Sequence, residues 1–331
     1  MKIGIGIAGT GIMARVHAEE VIKNKRTELV AVASRSMERA RDFAREYNIK
    51  AYTDYQEMLD NKKIDAVIIA NHNDKHAELG IKAAKAGKHI LVEKPIDISL
   101  KKAQMLLREC YSNKLKLSVI SQKRFDPKIL ELKKKIERKE FGDMPIIRIN
   151  ADFRRNKEYY ESSEGWRKKN ANSGGGVLIN QGIHHVDIAR WILGEAKSVL
   201  GYTERRIHDI EGEDFCSATI KFLNGATAII RCSSTAANNK EEIIIEWENK
   251  RIVYNESIIH KLKNTLLNYD ILNKILLRRG NILVRKQIDD FAGSIINDRQ
   301  PLVTGEDGIE ALKIVQSIYE SAKLKRKIMV C

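Results

Sequence analysis

Lys2-Ile-Gly-Ile-Gly-Ile-Ala8-Gly9-Thr-Gly11-Ile-Met-Ala14 stands at the head of the 331-residue chain, and its reading decides the fold. Residues 3–8 alternate Ile with Gly or Ala and carry no charge, as a strand covered on both faces requires. Gly9-Thr-Gly11-Ile-Met-Ala14 then fits G-x-G-x-x-A where that strand meets a helix. In such a turn Gly9 permits the tight bend, Gly11 lets backbone approach a pyrophosphate, and Ala14 keeps helix and strand close. Ile12 and Met13 open the helix, whose N-terminal N–H groups and partial positive charge suit phosphate. The stretch predicts a dinucleotide cradle; the competing reading is a glycine-rich turn without a ligand.

The alternation continues to residue 120. Val/Ile/Ala-rich runs at 28–34, 66–70, 89–92 and 117–120 are separated by stretches of helical period such as 37–47 and 75–86. Near-continuous apolar strands between amphipathic helices predict a doubly wound parallel sheet. After Pro127 the texture changes to longer strand-like runs at 146–153, 217–222, 226–233 and 242–248. Asn224-Gly225 is a hairpin signal, so the second sheet is expected to be mostly antiparallel; the resemblance named below implies that it is large and open. Residues 1–121 are thus read as a doubly wound dinucleotide-binding domain and 122–331 as a second, α/β domain, to which the family resemblance given below adds substrate binding and oligomerisation. Residues 249–286, rich in Lys and Asn, have no assignable element. Thr304-Gly-Glu-Asp307 resembles a capping box, and Ala311, Ile314, Val315, Ile318 and Ala322 share one face of the helix that follows.

A hydrophobic share of 43% with mixed charge fits a folded soluble protein. No apolar run nears the roughly 20 residues of a membrane span, and the N-terminus enters a strand without a cleavable leader. Cys110, Cys216, Cys232 and Cys331 are scattered without a C-x-x-C pair, pointing to free thiols, no zinc site and the cytoplasm. The net charge of +15 suits an anionic cofactor or substrate. Its clusters, Lys133-Lys134-Lys135, Arg278-Arg279 and Lys325-Arg326-Lys327, form no nucleic-acid-binding motif, so no nucleic-acid partner is expected.

At the end of the second strand an NAD site usually places a carboxylate on the ribose. This chain has Ala33-Ser34-Arg35-Ser36 instead. Arg35 with the Ser34 and Ser36 hydroxyls could hold a 2′-phosphate, which favours NADP over NAD; alternatively Arg35 stacks on adenine and either cofactor serves. Glu93-Lys94-Pro95 follows the strand 89–92, at the carboxyl edge where such sheets bind ligands. A lysine there can stabilise developing alkoxide. Ser173-Gly-Gly-Gly-Val-Leu-Ile-Asn180-Gln-Gly-Ile-His184-His185-Val-Asp187 offers an amide, an imidazole and a carboxylate at helical spacing, suited to substrate positioning and proton transfer. Zinc is the rival reading for these histidines and for His72 and His76, but adjacent histidines diverge on a helix and no metal is expected.

These segments, with Ile68-Ile-Ala-Asn-His-Asn73, Gly87-Lys-His-Ile-Leu-Val-Glu-Lys-Pro95 and Leu302-Val-Thr-Gly-Glu-Asp-Gly308, resemble the glucose–fructose oxidoreductase/inositol dehydrogenase (Gfo/Idh/MocA) family in kind and order. The resemblance spans nearly the whole chain and weakens over 249–286. It implies a Rossmann domain followed by an α/β domain whose open sheet commonly mediates homo-oligomers, dimers or tetramers. It assigns Lys94 to the reacting hydroxyl and the nicotinamide side, and His184 to acid/base work. Asn180 takes a position often held by Asp. Asn71, Asn73, His76, Glu93 and Gln122 fall in stretches near the cofactor, with Arg124 beside it, and Trp166 and Arg167 match a pair that approaches the active site.

Two departures stand out. His72 occupies a position commonly proline, which puts the loop's shape in question. Asn180 is uncharged and cannot favour the imidazolium of His184. The Tyr159-to-His185 segment is most similar to members acting on nucleotide-linked sugars, including amino-sugar derivatives. The expectation is therefore an NAD(P)-dependent oxidoreductase of a sugar-type secondary alcohol. An inositol-type polyol substrate is the alternative, and a non-catalytic dinucleotide-binding regulator, which need not keep Lys94 and His184, is the reading from another class.

Overall fold

The computed structural model describes residues 2–143, 145–247, 250–255 and 269–330. The chain divides into two compact units, Met1–Gln122 with Leu277–Ile309, and Lys123–Leu276 with Glu310–Cys331.

In the first unit, β1 (Ile3–Ala8), β2 (Thr27–Ala33), β3 (Lys50–Tyr52), β4 (Ala66–Ile69), β5 (His89–Val92) and β6 (Leu117–Val119) form one sheet in the order β3-β2-β1-β4-β5-β6. Every pairing is parallel. The order reverses between β1 and β4, the switch point at which doubly wound sheets bind ligands. All six residues of β1 are buried, which is why its pattern is continuous rather than alternating. The crossovers are α1 (Ile12–Lys23), α2 (Met37–Tyr47), α3 (Tyr55–Leu59), α4 (His76–Lys85) and α5 (Leu100–Ser112). Ser36, Asp54 and Ser99 cap α2, α3 and α5 by accepting first-turn N–H bonds.

The second unit carries α6 (Pro127–Glu137), β7 (Ile146–Arg154), α7 (Lys157–Glu161), α8 (Asn170–Ser173), α9 (Ile183–Leu193), β8 (Ala196–Glu204), β9 (Phe215–Phe222), β10 (Thr227–Ser233), β11 (Thr235–Trp247), β12 (Lys250–Asn255) and β13 (Ile328–Met329). Its seven strands run β12-β11-β7-β10-β9-β8-β13. All pairs are antiparallel except β7 with β10. Ile147, Ile149, Ala151 and Phe153 alternate inward on β7, and α9, with eight buried residues, packs on β7 and β10. The opposite face shows Leu200 and Tyr202, both more than half exposed. The Asn224-Gly225 turn joins β9 to β10 as its sequence indicates.

Two helices complete the chain, α10 (Tyr269–Ile296) and α11 (Gly305–Leu324). Thr304 and Asp307 form the reciprocal capping pair at the start of α11. The unassigned stretch 249–286 contains β12 and much of α10; residues 248, 249 and 256–268 lie outside the described residues. A boundary at residue 121 separates the two sheets but not the two units, because the chain returns to the first unit at Leu277. Val284, Ile288, Phe291 and Ala292 of α10 are buried in one core with Ile5, Ile7, Ala14 and Val21. Each large apolar side chain so buried stabilises that unit by roughly 1.5–3 kcal/mol. Gln287 adds polar anchors, accepting from Ser121 N–H (3.0 Å) and donating to Val119 O (2.8 Å).

Candidate active site

At the carboxyl edge of the first sheet, β1 runs into Gly9 at φ +117°. A Cβ at Gly9 would stand 2.5 Å from Ala70 O, so glycine is required both by the backbone angle and by the end of β4. Gly11 differs: nothing lies within 4 Å of its would-be Cβ. It begins α1 with no side-chain cap, leaving first-turn N–H groups without that partner. Ile12 is 72% exposed and Met13 37%, whereas Ala14 is fully buried against the sheet. Asn71 Oδ1 and Gln122 Oε1 are buried acceptors without a hydrogen-bond partner. Open space at Gly11, an uncapped helix N-terminus and two orphaned acceptors fit a dinucleotide.

His72 sits at φ −66°, a backbone angle that a proline would also adopt. Asn73 to Lys75 form a 3₁₀ turn that leads into α4, with Asn73 buried. His76 ties this turn to the next: Nδ1 lies 2.7 Å from Pro95 O and Nε2 3.1 Å from Asn71 O.

Glu93 is occupied by the protein itself. Its Oε1 is 2.8 Å from Nε2 of the fully buried His17, and its Oε2 accepts Lys94 N–H at 3.1 Å. Burial pushes the Glu93 carboxyl up, but the hydrogen bond and charge of His17, with Lys94 and His76, outweigh it and hold the group below its ordinary value. A fixed carboxylate therefore seats the backbone of Lys94, whose side chain is half-buried. The sequence reading missed His17, although a histidine in register with Ala14, Ala18 and Val21 on the buried face of α1 was a signal.

At the tip of β2, Arg35 is exposed. The hydroxyls beside it are both engaged locally, Ser34 Oγ accepting Ser36 N–H (3.4 Å) and Ser36 Oγ accepting Arg39 N–H (3.3 Å). Of that trio, Arg35 is the group open to solvent.

In the second unit, Gly174, Gly175 and Gly176 end α8 and lead through Val177 into a π turn, Leu178–Gly182, that continues into α9. The spacing of Asn180 and His184 therefore is not that of a regular α-helix. The glycines answer the protein's own backbone. A Cβ at Gly176 would fall 1.7 Å from Glu213 O, and one at Gly175 would fall 2.4 Å from the Tyr319 hydroxyl. Asn180 Nδ2 donates to Gly175 O and Gly176 O, both at 2.9 Å, so its amide nitrogen serves the glycine run.

His184, on the first turn of α9, is half-buried, while His185 is 3% exposed. His185 Nε2 lies 2.7 Å from Glu241 Oε2, which also accepts from Lys123 Nζ at 2.5 Å. Burial opposes ionisation of Glu241, but Lys123 and His185 hold its carboxyl well below the usual range. Asp187, three residues beyond His184 on α9, is engaged by a distant residue of its own unit. Its carboxylate receives both arms of the Arg124 guanidinium, from Nε at 2.8 Å and from Nη2. Arg124, 1% exposed, also lies over the Trp191 ring. Arg124 therefore anchors α9 within its unit.

Trp166 and Arg167 lie in a 3₁₀ stretch, Ser163–Lys168. The Arg167 guanidinium stacks on Trp166 and on Tyr159, and Tyr159 accepts a 2.9 Å bond from Gln181 beside Asn180. Tyr159, Gln181 and Arg155, which donates to Gln181 (3.2 Å), therefore join the candidate site. Among the described residues, no group of three or more His, Cys, Asp or Glu could hold a metal ion, and no helix is long and apolar enough to cross a membrane.

Two family models match, "Oxidoreductase family, NAD-binding Rossmann fold" over residues 3–121 and "Oxidoreductase family, C-terminal alpha/beta domain" over 133–330. Inositol 2-dehydrogenase of Rhizobium meliloti is 27% identical over the full length of both chains. The scyllo-inositol 2-dehydrogenase (NAD(+)) of Bacillus subtilis is 29% identical over 95% of this chain and 92% of its own. The WlbA dehydrogenase of Bordetella pertussis, solved with NADH and UDP-GlcNAcA, has the same fold at a TM-score of 0.87, covering 99% and 97% of the two chains at 24% identity.

Proposed function

The chain belongs to the Gfo/Idh/MocA family of oxidoreductases, with its NAD-binding Rossmann fold, and from that premise we propose that it oxidises or reduces one secondary-alcohol carbon of a nucleotide-linked sugar, an amino sugar among the candidates. The observation that carries the reading is Lys94, seated by the His17–Glu93 pair at the carboxyl end of β5, in the same unit as the dinucleotide cradle.

When bound, the nicotinamide supplies or accepts the hydride. Lys94 hydrogen-bonds the reacting oxygen and stabilises it as alkoxide character develops. His184 takes the hydroxyl proton in oxidation and returns it in reduction. Asn180 shapes the glycine run ahead of α9. Gly9, Gly11, Ile12, Met13 and Ala14 form the pyrophosphate turn, and Asn71 and Gln122 offer acceptors to the cofactor. With no carboxylate at the tip of β2, Arg35 favours NADP, while NAD is the cofactor in the names of relatives. The Arg155, Tyr159 and Arg167 group and the net charge of +15 suit an anionic, ring-bearing substrate.

A free inositol-type polyol is the second reading, favoured by the names of the sequence relatives. The exposed sheet face around Leu200 and Tyr202 supports a homo-oligomer, which light scattering after size exclusion would detect.

A panel of nucleotide sugars and free polyols, read at the nicotinamide absorbance, separates the two substrates; dinucleotide binding with no turnover on either would favour a regulator. On the best substrate, Lys94→Ala should lower kcat by on the order of 10²–10³ with little change in dinucleotide affinity. His184→Ala should abolish the acidic limb of the oxidation profile and slow turnover about 10²–10⁴-fold. Turnover within about fivefold of wild type would remove either residue from its role.

A further inference from the structure

The π turn Leu178–Gly182 needs an explanation. A π-helix is a rare, locally unfavourable arrangement that lasts only where its surroundings determine it. Its leading N–H groups have no partner within the turn, and each finds one elsewhere in the second unit. Val177 N–H donates to Glu213 O at 2.8 Å. Leu178 N–H donates to Glu213 Oε1 at 2.8 Å, and Gly176 N–H to Oε2 at 2.9 Å. Ile179 N–H donates to the Tyr319 hydroxyl at 3.3 Å, and that hydroxyl donates onward to Glu213 Oε1 at 3.0 Å. One carboxylate from the loop before β9 and one phenol from α11 thus satisfy the start of the turn. The contact is close enough to exclude any side chain at Gly175, Gly176 or Gly212.

Glu213 is 8% exposed, Tyr319 and Cys216 lie beside it, and among the described residues it forms no ion pair. Burial pushes its carboxyl above the ordinary value despite the donors around it. A carboxylate buried in such a place is costly unless its hydrogen bonds compensate.

We propose that Glu213, assisted by Tyr319, is a positioning residue that sets the register of the π turn and so the placement of Asn180 relative to His184. The proposal rests on the reading of His184 as the acid/base. The C-terminal side of the turn is fixed independently, since α9 is anchored by Arg124 through Asp187 and by Glu241 through His185. A π turn differs from an α turn by one residue of hydrogen-bond register. Relaxation to α would therefore fall on the N-terminal side, rotating Asn180 and the glycine run by roughly 100° about the axis relative to His184. Asn180 Nδ2 would leave Gly175 O and Gly176 O, and the groups presented beside the imidazole would change.

The test uses the full chain with Tyr319→Phe, which removes only the hydroxyl, and Glu213→Gln, which replaces one acceptor by a donor. The first readout is the His184 ring in ¹⁵N-histidine-labelled protein, assigned by its loss in His184→Ala. The second is kcat on the best substrate of the panel, and the third is dinucleotide affinity by nicotinamide fluorescence. The expected result is a His184 titration displaced by at least about 0.3 pH units in Tyr319→Phe, and further in Glu213→Gln. The kcat should fall on the order of 10–100-fold, the scale of small misplacements at a reacting centre. Dinucleotide affinity should stay within about twofold, because the cradle is built in the other unit. If Glu213→Gln does not fold, Tyr319→Phe decides alone. A His184 titration and kcat both unchanged in Tyr319→Phe would overturn the proposal and reduce the phenol to packing. Failure of the acid/base reading is separate, since it appears as a pH profile indifferent to His184→Ala while the ring titration still reports position.

Discussion

Replacing Asn180 by Asp changes one atom's chemistry, from a donor to an acceptor, at a point where the structure requires a donor. Nδ2 bonds two carbonyl oxygens at 2.9 Å each. Neutral hydrogen bonds contribute about 0.5–1.5 kcal/mol apiece, and acceptors left facing a carboxylate add a penalty of similar size. Discounted for a half-buried site, Asn180→Asp should cost roughly 2–4 kcal/mol once the new carboxyl is ionised. Its folded-state pKa is raised, because two carbonyl dipoles disfavour the charged form. The sign follows: the folded state holds that proton more tightly, so the loss is smallest below the unfolded value of about 3.9 and grows as pH rises through the folded one. Thermal melts at pH 5 and pH 8 measure it. At about 2–4 °C per kcal/mol, the deficit against wild type should reach roughly 4–16 °C at the higher pH and be clearly smaller at the lower. An equal deficit at both values, or none, would show that Asn180 does not donate to the glycine run. The substitution is therefore no clean electrostatic probe of His184, as residue spacing alone suggested.

Two further perturbations report on other parts of the molecule. Arg35→Ala should weaken NADP more than NAD, as only NADP presents a 2′-phosphate to the exposed guanidinium; equal losses would favour adenine stacking and remove the preference for NADP. Glu241→Gln should flatten the acid side of the stability profile. The native carboxyl lies well below its reference value of 4.5, so its contribution is present above that pH and lost as pH falls toward the folded value; an unchanged acid unfolding curve would contradict this.

The Rossmann half was legible because its determinants are local. Apolar runs, helix caps and G-x-G-x-x-A each act within a few residues, and β1, α1 and α2 form where the pattern places them. The second half was legible in outline, since Asn224-Gly225 fixes one hairpin but the parallel β7–β10 pair depends on partners some 80 residues apart, as Thr227 opposite Ile146 shows. What the sequence hid were long-range partners. Asp187 read as a neighbour of His184 on a helix, and its second partner, Arg124 at a separation of 63 residues, was not visible there. Glu93 read as near the cofactor, and the contact that fixes its carboxylate, from His17 some 76 residues earlier on α1, was not read from the sequence. The π turn has no signature at i,i+4 spacing, and its supports, Glu213 and Tyr319, come from distant segments.

The return of α10 to the first unit has a consequence for how the protein is made. Ile5 and Ile7 share a core with Val284, Ile288 and Phe291, so the nascent sheet stays open on that side until those residues emerge. At about 5–20 residues per second, synthesis from Gln122 to Val284 takes roughly 10–30 s. During that interval an apolar surface awaits its cover, and a fragment ending at Gln122 keeps that surface permanently. The amino-terminal sheet alone should therefore be prone to aggregation and a poor candidate for isolated expression, although it carries the whole dinucleotide turn.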